Sequence, residues 1–343
     1  MKKIVTIGGG TGSFTLLSGL KNYNVDISAV VSMADDGGST GRLRDELGVL
    51  PPGDIRQCLV ALSNSSDKLR ELMNYRFPVQ KGLSFKKDKG VGGHNFGNLL
   101  LSALEKISGN FIDGVGEAAK ILNIKGKVLP VSEKDMNLAI ELGNGKVIVG
   151  EKYLDHNEQV RKYGVQKVFL KPEVDANKKV IKHIKKADAI ILGPGDHYGS
   201  IIPNLLVKDV ARAVCEAKAV VIYNCNLTNK KGQTENFDVD KYTQEINKYL
   251  GLDRIDYTIC SNKKPAMNVV KKYEKKEGKN SVVKFNKNKF KKRNYKVIEA
   301  DVIKNNILIE EKKAHRGTNQ YSLVRHDSHK LAELIITLLK KTN

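Results

Sequence analysis

The chain has 343 residues, 40% of them hydrophobic and 28% charged. These values are close to globular averages, and the length suffices to bury a core without disulfide or metal staples. It suits two domains or one large domain with an insertion, and the element pattern below favours one domain over 1–343. No run of about 18 apolar residues occurs, which argues against a membrane-spanning helix. The apolar start at residues 4–7 is too short for a secretory signal and is followed at once by glycines, so a cytoplasmic location and no membrane partner are expected. The four cysteines, Cys58, Cys215, Cys225 and Cys260, form no CxxC and share no zinc-type spacing with histidine. Reduced, partly buried thiols are expected. The formal charge is +21, the sign of a nucleic-acid binder when it forms a patch. Here the lysines are scattered. The densest basic run, 284–296, holds Phe285, Phe290 and Tyr295. It reads as an RNA-stacking strip or as a solvated loop or edge strand guarded by lysines. The second reading is preferred, and no nucleic-acid partner is expected.

In chain order, residues 3–7 read as a buried strand, and Gly8-Gly9-Gly10-Thr11-Gly12-Ser13 turns it into a helix carrying Phe14, Leu16, Leu17 and Leu20. A second strand at 27–33 runs into Ala34-Asp35-Asp36-Gly37-Gly38. Strand, glycine turn, helix and strand make a βαβ unit and predict an α/β fold with a parallel sheet and helices on both faces. Pro51-Pro52-Gly53-Asp54 reads as a turn and helix cap ahead of a helix at 55–62. Gly92-Gly93-His94-Asn95 precedes a helix at 96–107. Short strand-like runs at 128–131, 138–142 and 146–149, the last two joined by the hairpin dipeptide Asn144-Gly145, predict a smaller β-rich insertion over about 120–184. The α/β rhythm resumes with a strand at 187–192 ending in Gly193-Pro194-Gly195, a helix at about 204–217, and strands at 219–224 and 257–261. An amphipathic helix at 328–340 follows, with Leu331, Leu334, Ile335, Leu338 and Leu339 on helical spacing.

Ligands of an open parallel sheet sit outside the carboxyl ends of its strands, and the polar and glycine clusters of this sequence fall there. In the first, Gly9, Gly10, Thr11, Gly12 and Ser13 suit backbone approach to a phosphate at a helix start. Ser13 breaks GxGxxG, and no lysine follows Gly12 to make a Walker loop. A tight structural turn is the competing reading. Asp35 and Asp36 suit a ribose contact, a base, or a metal, with Mg²⁺ on Asp36 as the one metal considered; Asp-Gly is equally a turn dipeptide. Arg42, Arg44 and Arg56 carry phosphate-matching forks, although Asp45 and Glu46 offer surface partners, above all to Arg44. His94, Asn95 and Asn98 open a helix, where Asn95 serves as a cap or a ligand. Gly193, Gly195 and Ser200 frame a second glycine loop, and Asn226 lies at the end of the next strand. No GxSxG elbow occurs.

Taken together, GGGTGSFTLLSGLK, ADDGGSTGRLRDELGVLPPGDIRQCLVAL, GHNFGNLLLSAL, ILGPGDHYGSIIPNLL and VRHDSHKLA resemble the gluconeogenesis-factor (YvcK-like) family, related to the 2-phospho-L-lactate transferases. The resemblance runs nearly end to end. It implies a Rossmann-like core and a UDP-sugar ligand of the UDP-N-acetylglucosamine type. It also implies a role in cell shape and wall synthesis on gluconeogenic carbon. By position it implies ligand contacts from Tyr273 and Arg325. It leans away from enzymatic turnover, with transfer of a phosphorylated group from a nucleotide donor as the alternative, and it leaves a homo-oligomer open. Asp196-His197 and Asn95-Phe96 depart from the family pattern.

Overall fold

The computed structural model describes residues 1–80, 90–289, 292–304 and 324–341. Phe290 of the basic run lies outside the described residues. Strand β1 (Lys2–Gly8) buries Ile4, Val5 and Ile7, and helix α1 (Gly10–Leu20) returns along the sheet with Leu16, Leu17 and Leu20 inward. Strand β2 (Val25–Val31) lies parallel to β1. Helices α2 (Gly38–Leu47), α3 (Gly53–Leu62), α4 (Asp67–Asn74), α5 (Phe96–Ser108) and α6 (Phe111–Ile121) then lead to strand β3 (Lys127–Pro130). Strands β4 (Asn137–Leu142), β5 (Val147–Val149) and β6 (Val165–Lys171) form a separate antiparallel sheet in the order β5-β4-β6. Strands β7 (Ala189–Leu192), β8 (Val220–Asn224), β9 (Tyr257–Ser261) and β10 (Lys296–Ala300) complete, among the described residues, a seven-stranded parallel sheet ordered β10-β9-β8-β7-β1-β2-β3. This is the expected α/β, Rossmann-like arrangement with a small second sheet.

Three expectations change. The run at 128–131 belongs to the main sheet as its edge, pairing Ala29 with Val128, so the smaller sheet holds only β4 to β6. The helix expected at 204–217 is split between helix Ile202–Leu205, which follows a π-helical turn at His197–Ile201, and helix Val210–Glu216. Asp209, at φ 69°, interrupts it in a left-handed conformation unfavourable to a continuous helix. No definite strand was expected beyond 261, only a loop or edge strand within the basic run, yet β10 starts at Lys296, the last residue of that run, and forms an edge of the main sheet. The Asn144-Gly145 hairpin is as expected: Leu142 N–H donates to Lys146 O at 2.9 Å, and Gly145 supplies the positive φ the turn requires. All four cysteines are free thiols. Among the described residues no helix is long and apolar enough to cross a membrane.

Helix α1 also packs against helix Ser328–Lys341, the two meeting at Gly19. A Cβ on Gly19 would run into the Ser328 carbonyl and the Ala332 methyl. Overpacking of this kind costs about 1–3 kcal/mol. Gly19→Ala is expected to lower the thermal midpoint by several degrees, read by calorimetry, with the far-ultraviolet spectrum retained; an unchanged midpoint would mean the two helices separate freely.

Candidate functional site

Strand order reverses between β1 and β7: from β1 the chain proceeds through β2 to β3 on one side, and from β7 through β8 and β9 to β10 on the other. The ligand crevice of such a sheet lies at that reversal. The two glycine turns meet there. Gly10 has φ 60° and Gly193 φ 69°, conformations that favour glycine. Gly12 stands against the Pro194 carbonyl and Gly195 so closely that any side chain would overlap them, and a Cβ on Gly9 would overlap the Asp54 carboxylate. Gly12 therefore has a packing requirement of its own, whatever it does for a ligand. Two buried asparagines brace the turns from below. Asn204 Nδ2 donates to Gly8 O (3.1 Å) and Ser200 O (2.7 Å), and Asn224 Nδ2 donates to Gly193 O (3.1 Å). Asn226 joins them, donating to Gly195 O at 2.9 Å. Ser13 is buried, while Thr11 is exposed at the start of α1.

Carboxylates gather beside the first turn. Asp35 accepts from the Gly37 amide at 2.9 Å, yet burial holds its carboxyl above the ordinary range. Burial, and then the neighbouring Asp35, push Asp54 up to about 8, with Arg56 and the Gly10 amide pulling the other way. Glu151 is raised well above its usual value by burial and by Asp35, Asp196, Asp155 and Asp54. Lys230 Nζ binds Asp155 Oδ1 at 2.6 Å and also Asp196. Burial pulls its pKa down, but the two carboxylates outweigh that and hold it above normal. Asp196 Oδ1 accepts from Gly199 N–H at 2.8 Å. The Asp35-Asp36 pair is split: Asp36 turns to the segment after β5, accepting from the Lys152 amide at 2.8 Å and lying 3.5 Å from Lys152 Nζ. Among the described residues, no three His, Cys, Asp or Glu side chains converge as a metal site.

Arg56, His94, Asn95 and Asn98 are brought together, as one buried network. Arg56 Nε donates to Asn98 Oδ1 (3.0 Å) and Nη1 to Asn74 and Met73 O. Asn98 Nδ2 donates to Ser39 Oγ (3.3 Å), which pairs with His94 Nδ1 (3.1 Å), and Asn95 Oδ1 caps α5. Burial, then Arg76, lower Arg56 to about 10, which leaves it a cation. Its guanidinium thus faces the network behind Asp54 instead of standing open as a fork. Arg44 is held by Asp135, Asn137 and Asp35 O, and Arg42 by Glu46. His197, packed among Tyr198, Phe237 and Tyr242, is kept neutral by burial, its pKa lowered to about 3.

Tyr273 is half-buried on helix Met267–Glu277, which follows β9. Arg325 is half-buried in a segment bridged to the chain beyond β10, where Lys304 N–H donates to Arg325 O at 2.9 Å. Asp327 Oδ1 caps the helix start beside it, accepting from His329 N–H and Lys330 N–H. Tyr273 follows the carboxyl end of β9, and Arg325 pairs with chain beyond the carboxyl end of β10. Sequence reasoning missed Asp54, Glu151, Asp155 and Lys230 as members of the crevice. Asp54 had a visible signal in PPGDIR but reads locally as a helix cap; Glu151 follows Gly150 in the insertion and has none.

The fold and its paired glycine turns define an α/β protein of the 2-phospho-L-lactate transferase CofD type, and residues 4–303 match the family of that description. The chain belongs to this family, among the members called gluconeogenesis factors. It is 36% identical to the gluconeogenesis factor of Bacillus subtilis, over 99% of this chain and 98% of that one. It is 40% identical to the putative gluconeogenesis factor of Thermotoga maritima, over 97% and 98%. A crystal structure of a UPF0052 family protein from Bacillus halodurans superposes with a TM-score of 0.83 at 33% identity, covering 98% of each chain.

Asp54 gives this site a pH signature. Its folded pKa, about 8, lies above its ordinary 3.8, so the folded chain binds the extra proton and stability falls as pH rises through that window. The thermal midpoint of the ligand-free protein is expected to drop from pH 6 to pH 9, with a shallower drop in Asp54→Asn. Identical slopes for the two proteins would contradict the burial assigned to this carboxyl.

Proposed function

We propose that the crevice binds a UDP-sugar of the UDP-N-acetylglucosamine type, its diphosphate over the two glycine turns, and that the protein acts as a cytoplasmic gluconeogenesis factor supporting cell shape and wall synthesis. The observation that carries this reading is the meeting of both glycine turns at the strand-order reversal. There α1 begins, and a helix start favours an anion, although the Gly10 amide is already engaged by the Asp54 carboxyl. The relatives named as gluconeogenesis factors support the gluconeogenesis-factor part of this reading, while the role in cell shape and wall synthesis rests on the family resemblance alone. Tyr273 and Arg325 contribute ligand contacts from the β9 and β10 side. Asp36, the residue expected to hold a Mg²⁺ ion, is engaged by Lys152, so a divalent ion bound here would be held by Asp35 and would supply charge neutralisation for the phosphates.

A second reading rests on Asp54. A carboxyl raised to about 8 is matched to proton transfer near neutrality, which favours transfer of a phosphorylated group from a nucleotide donor to an acceptor hydroxyl. Calorimetry with UDP-N-acetylglucosamine and GDP, with and without Mg²⁺, followed by chromatography for released nucleotide, separates the two. Tight UDP-sugar binding without turnover supports the first; nucleotide release dependent on Asp54 supports the second.

Arg325 gives a sharper check. A charge-assisted contact contributes about 1.5–3 kcal/mol, roughly ten- to a hundredfold in affinity, against about 0–1 kcal/mol for an exposed ion pair. Arg325→Ala is expected to lose at least tenfold in UDP-sugar affinity with little change in ligand-free melting, and Arg325→Lys to recover part of it. Wild-type affinity in Arg325→Ala would place the ligand elsewhere.

A further inference from the structure

Lysines occur along the whole chain, but the net charge is not evenly spread as their scatter suggested: residues 263 to 296 carry 14 lysines and arginines against two glutamates, so twelve of the twenty-one net positive charges fall in 34 residues. The segment begins just beyond β9 and ends in β10, along the open edge of the main sheet. Its helix Met267–Glu277 is fastened to the wall of the crevice. Glu277 Oε2 accepts from Lys231 N–H at 3.1 Å and lies 3.6 Å from Arg161 Nη1, while Arg161 Nη2 donates to Lys276 O at 2.5 Å. Lys231 directly follows Lys230, whose ammonium binds Asp155 and Asp196 in the crevice. The next stretch is laced to the same wall, with Asn229 N–H donating to Ser281 O at 2.7 Å. The basic helix thus stands at the rim of the crevice.

The chemistry of this rim is that of a field, not of a gripping surface. Lys264, Lys271, Lys272, Lys275 and Lys279 are exposed and make no ion pair among the described residues. Two aromatic residues of the segment are engaged by protein partners: Phe285 lies under the Arg293 guanidinium at 5.0 Å, and the Tyr295 hydroxyl donates to Asp240 at 2.5 Å. Arg293 is itself taken up by Asp240 (2.6 and 2.9 Å). Inside the crevice the composition is the reverse, with Asp35, Asp54, Asp155 and Asp196 near Glu151 and Lys230 paired among them, to Asp155 and Asp196. A dianionic ligand approaching that interior finds the Lys230 ammonium already paired with Asp155 and Asp196, and an outward basic rim supplies the long-range attraction.

We infer that the exposed lysines of helix Met267–Glu277 and its flanks form an electrostatic guide that captures anionic nucleotide ligands and delivers them to the crevice. The inference rests on the UDP-sugar reading and adds to it a rate-determining surface that need not touch the bound ligand. Steering of this kind raises association rates by about 10–10³-fold and fades as salt screens it.

The test is stopped-flow association of a fluorescent UDP derivative with the full chain and with Lys271→Glu/Lys272→Glu/Lys275→Glu/Lys279→Glu, together with the same four positions changed to Gln. At about 20 mM salt, where the Debye length is about 20 Å, the Glu variant is expected to associate about tenfold or more slowly, with the Gln variant between it and wild type. Dissociation rates should match, and the difference should close by about 500 mM salt. Equal association rates at low salt would overturn the guide, as would a loss seen mainly in dissociation and persisting at high salt, which marks direct contact. Wild-type protein that binds no UDP derivative removes the nucleotide reading and the guide with it. Circular dichroism of both variants confirms that they are folded.

Discussion

The mutual approach of two glycine turns at the boundary between β1 and β7 governs the rest of the molecule. Gly12 and the Pro194–Gly195 backbone come so close that no side chain fits between them, and Asn204 and Asn224 tie the turns from beneath. That approach fixes where α1 begins, which in turn sets the helix that carries Gly19 against helix Ser328–Lys341. It also brings Ser200 and Asp54 close to Gly9. Fold and crevice share one constraint, because the backbone that closes the sheet is the backbone that would face a phosphate.

Burial of carboxylates is the second organising effect. Each of Asp35, Asp54 and Glu151 has its pKa raised first by desolvation and further by its acidic neighbours. Lys230 answers only Asp155 and Asp196 directly. The result is a crevice rich in acceptors and poor in mobile cations, with Arg56, Arg44 and Arg42 committed to protein partners. The hydroxyl groups of the proposed sugar would find acceptors in such a place, while its phosphates would depend on backbone amides. That division of labour suits the proposed nucleotide sugar, for which the basic rim would supply the attraction at a distance.

Local pattern was informative where one element decides its own fate. The glycine turn after β1, the βαβ unit, the Asn144-Gly145 hairpin and strand β9 over 257–261 all follow from residue types in a short window. Assignment of 128–131 to a sheet did not, because a short apolar run has no mark of which strands it will join, and its pairing with β2 is a tertiary fact. For the site, the glycine loops were legible as backbone requirements. Arg56 was not: its sequence neighbours show a cation near acids, but only the folded chain shows its hydrogen bonds spent on Asn98, Asn74 and Met73. Glu151 reaches the crevice from the insertion, more than a hundred residues from Asp35 along the chain, a convergence that no local window contains. The resemblance to gluconeogenesis factors correctly placed the family.

Hydrogen exchange read by mass spectrometry, on the full chain with and without UDP-N-acetylglucosamine, addresses the central claim most directly. Protection of residues 8–13 and 193–200 together, absent with uridine, is the expected result, since the diphosphate would take the amides of both turns at once. Tight binding with protection confined to other segments, both glycine turns exchanging as in the free protein, would contradict a phosphate site at the β1/β7 boundary.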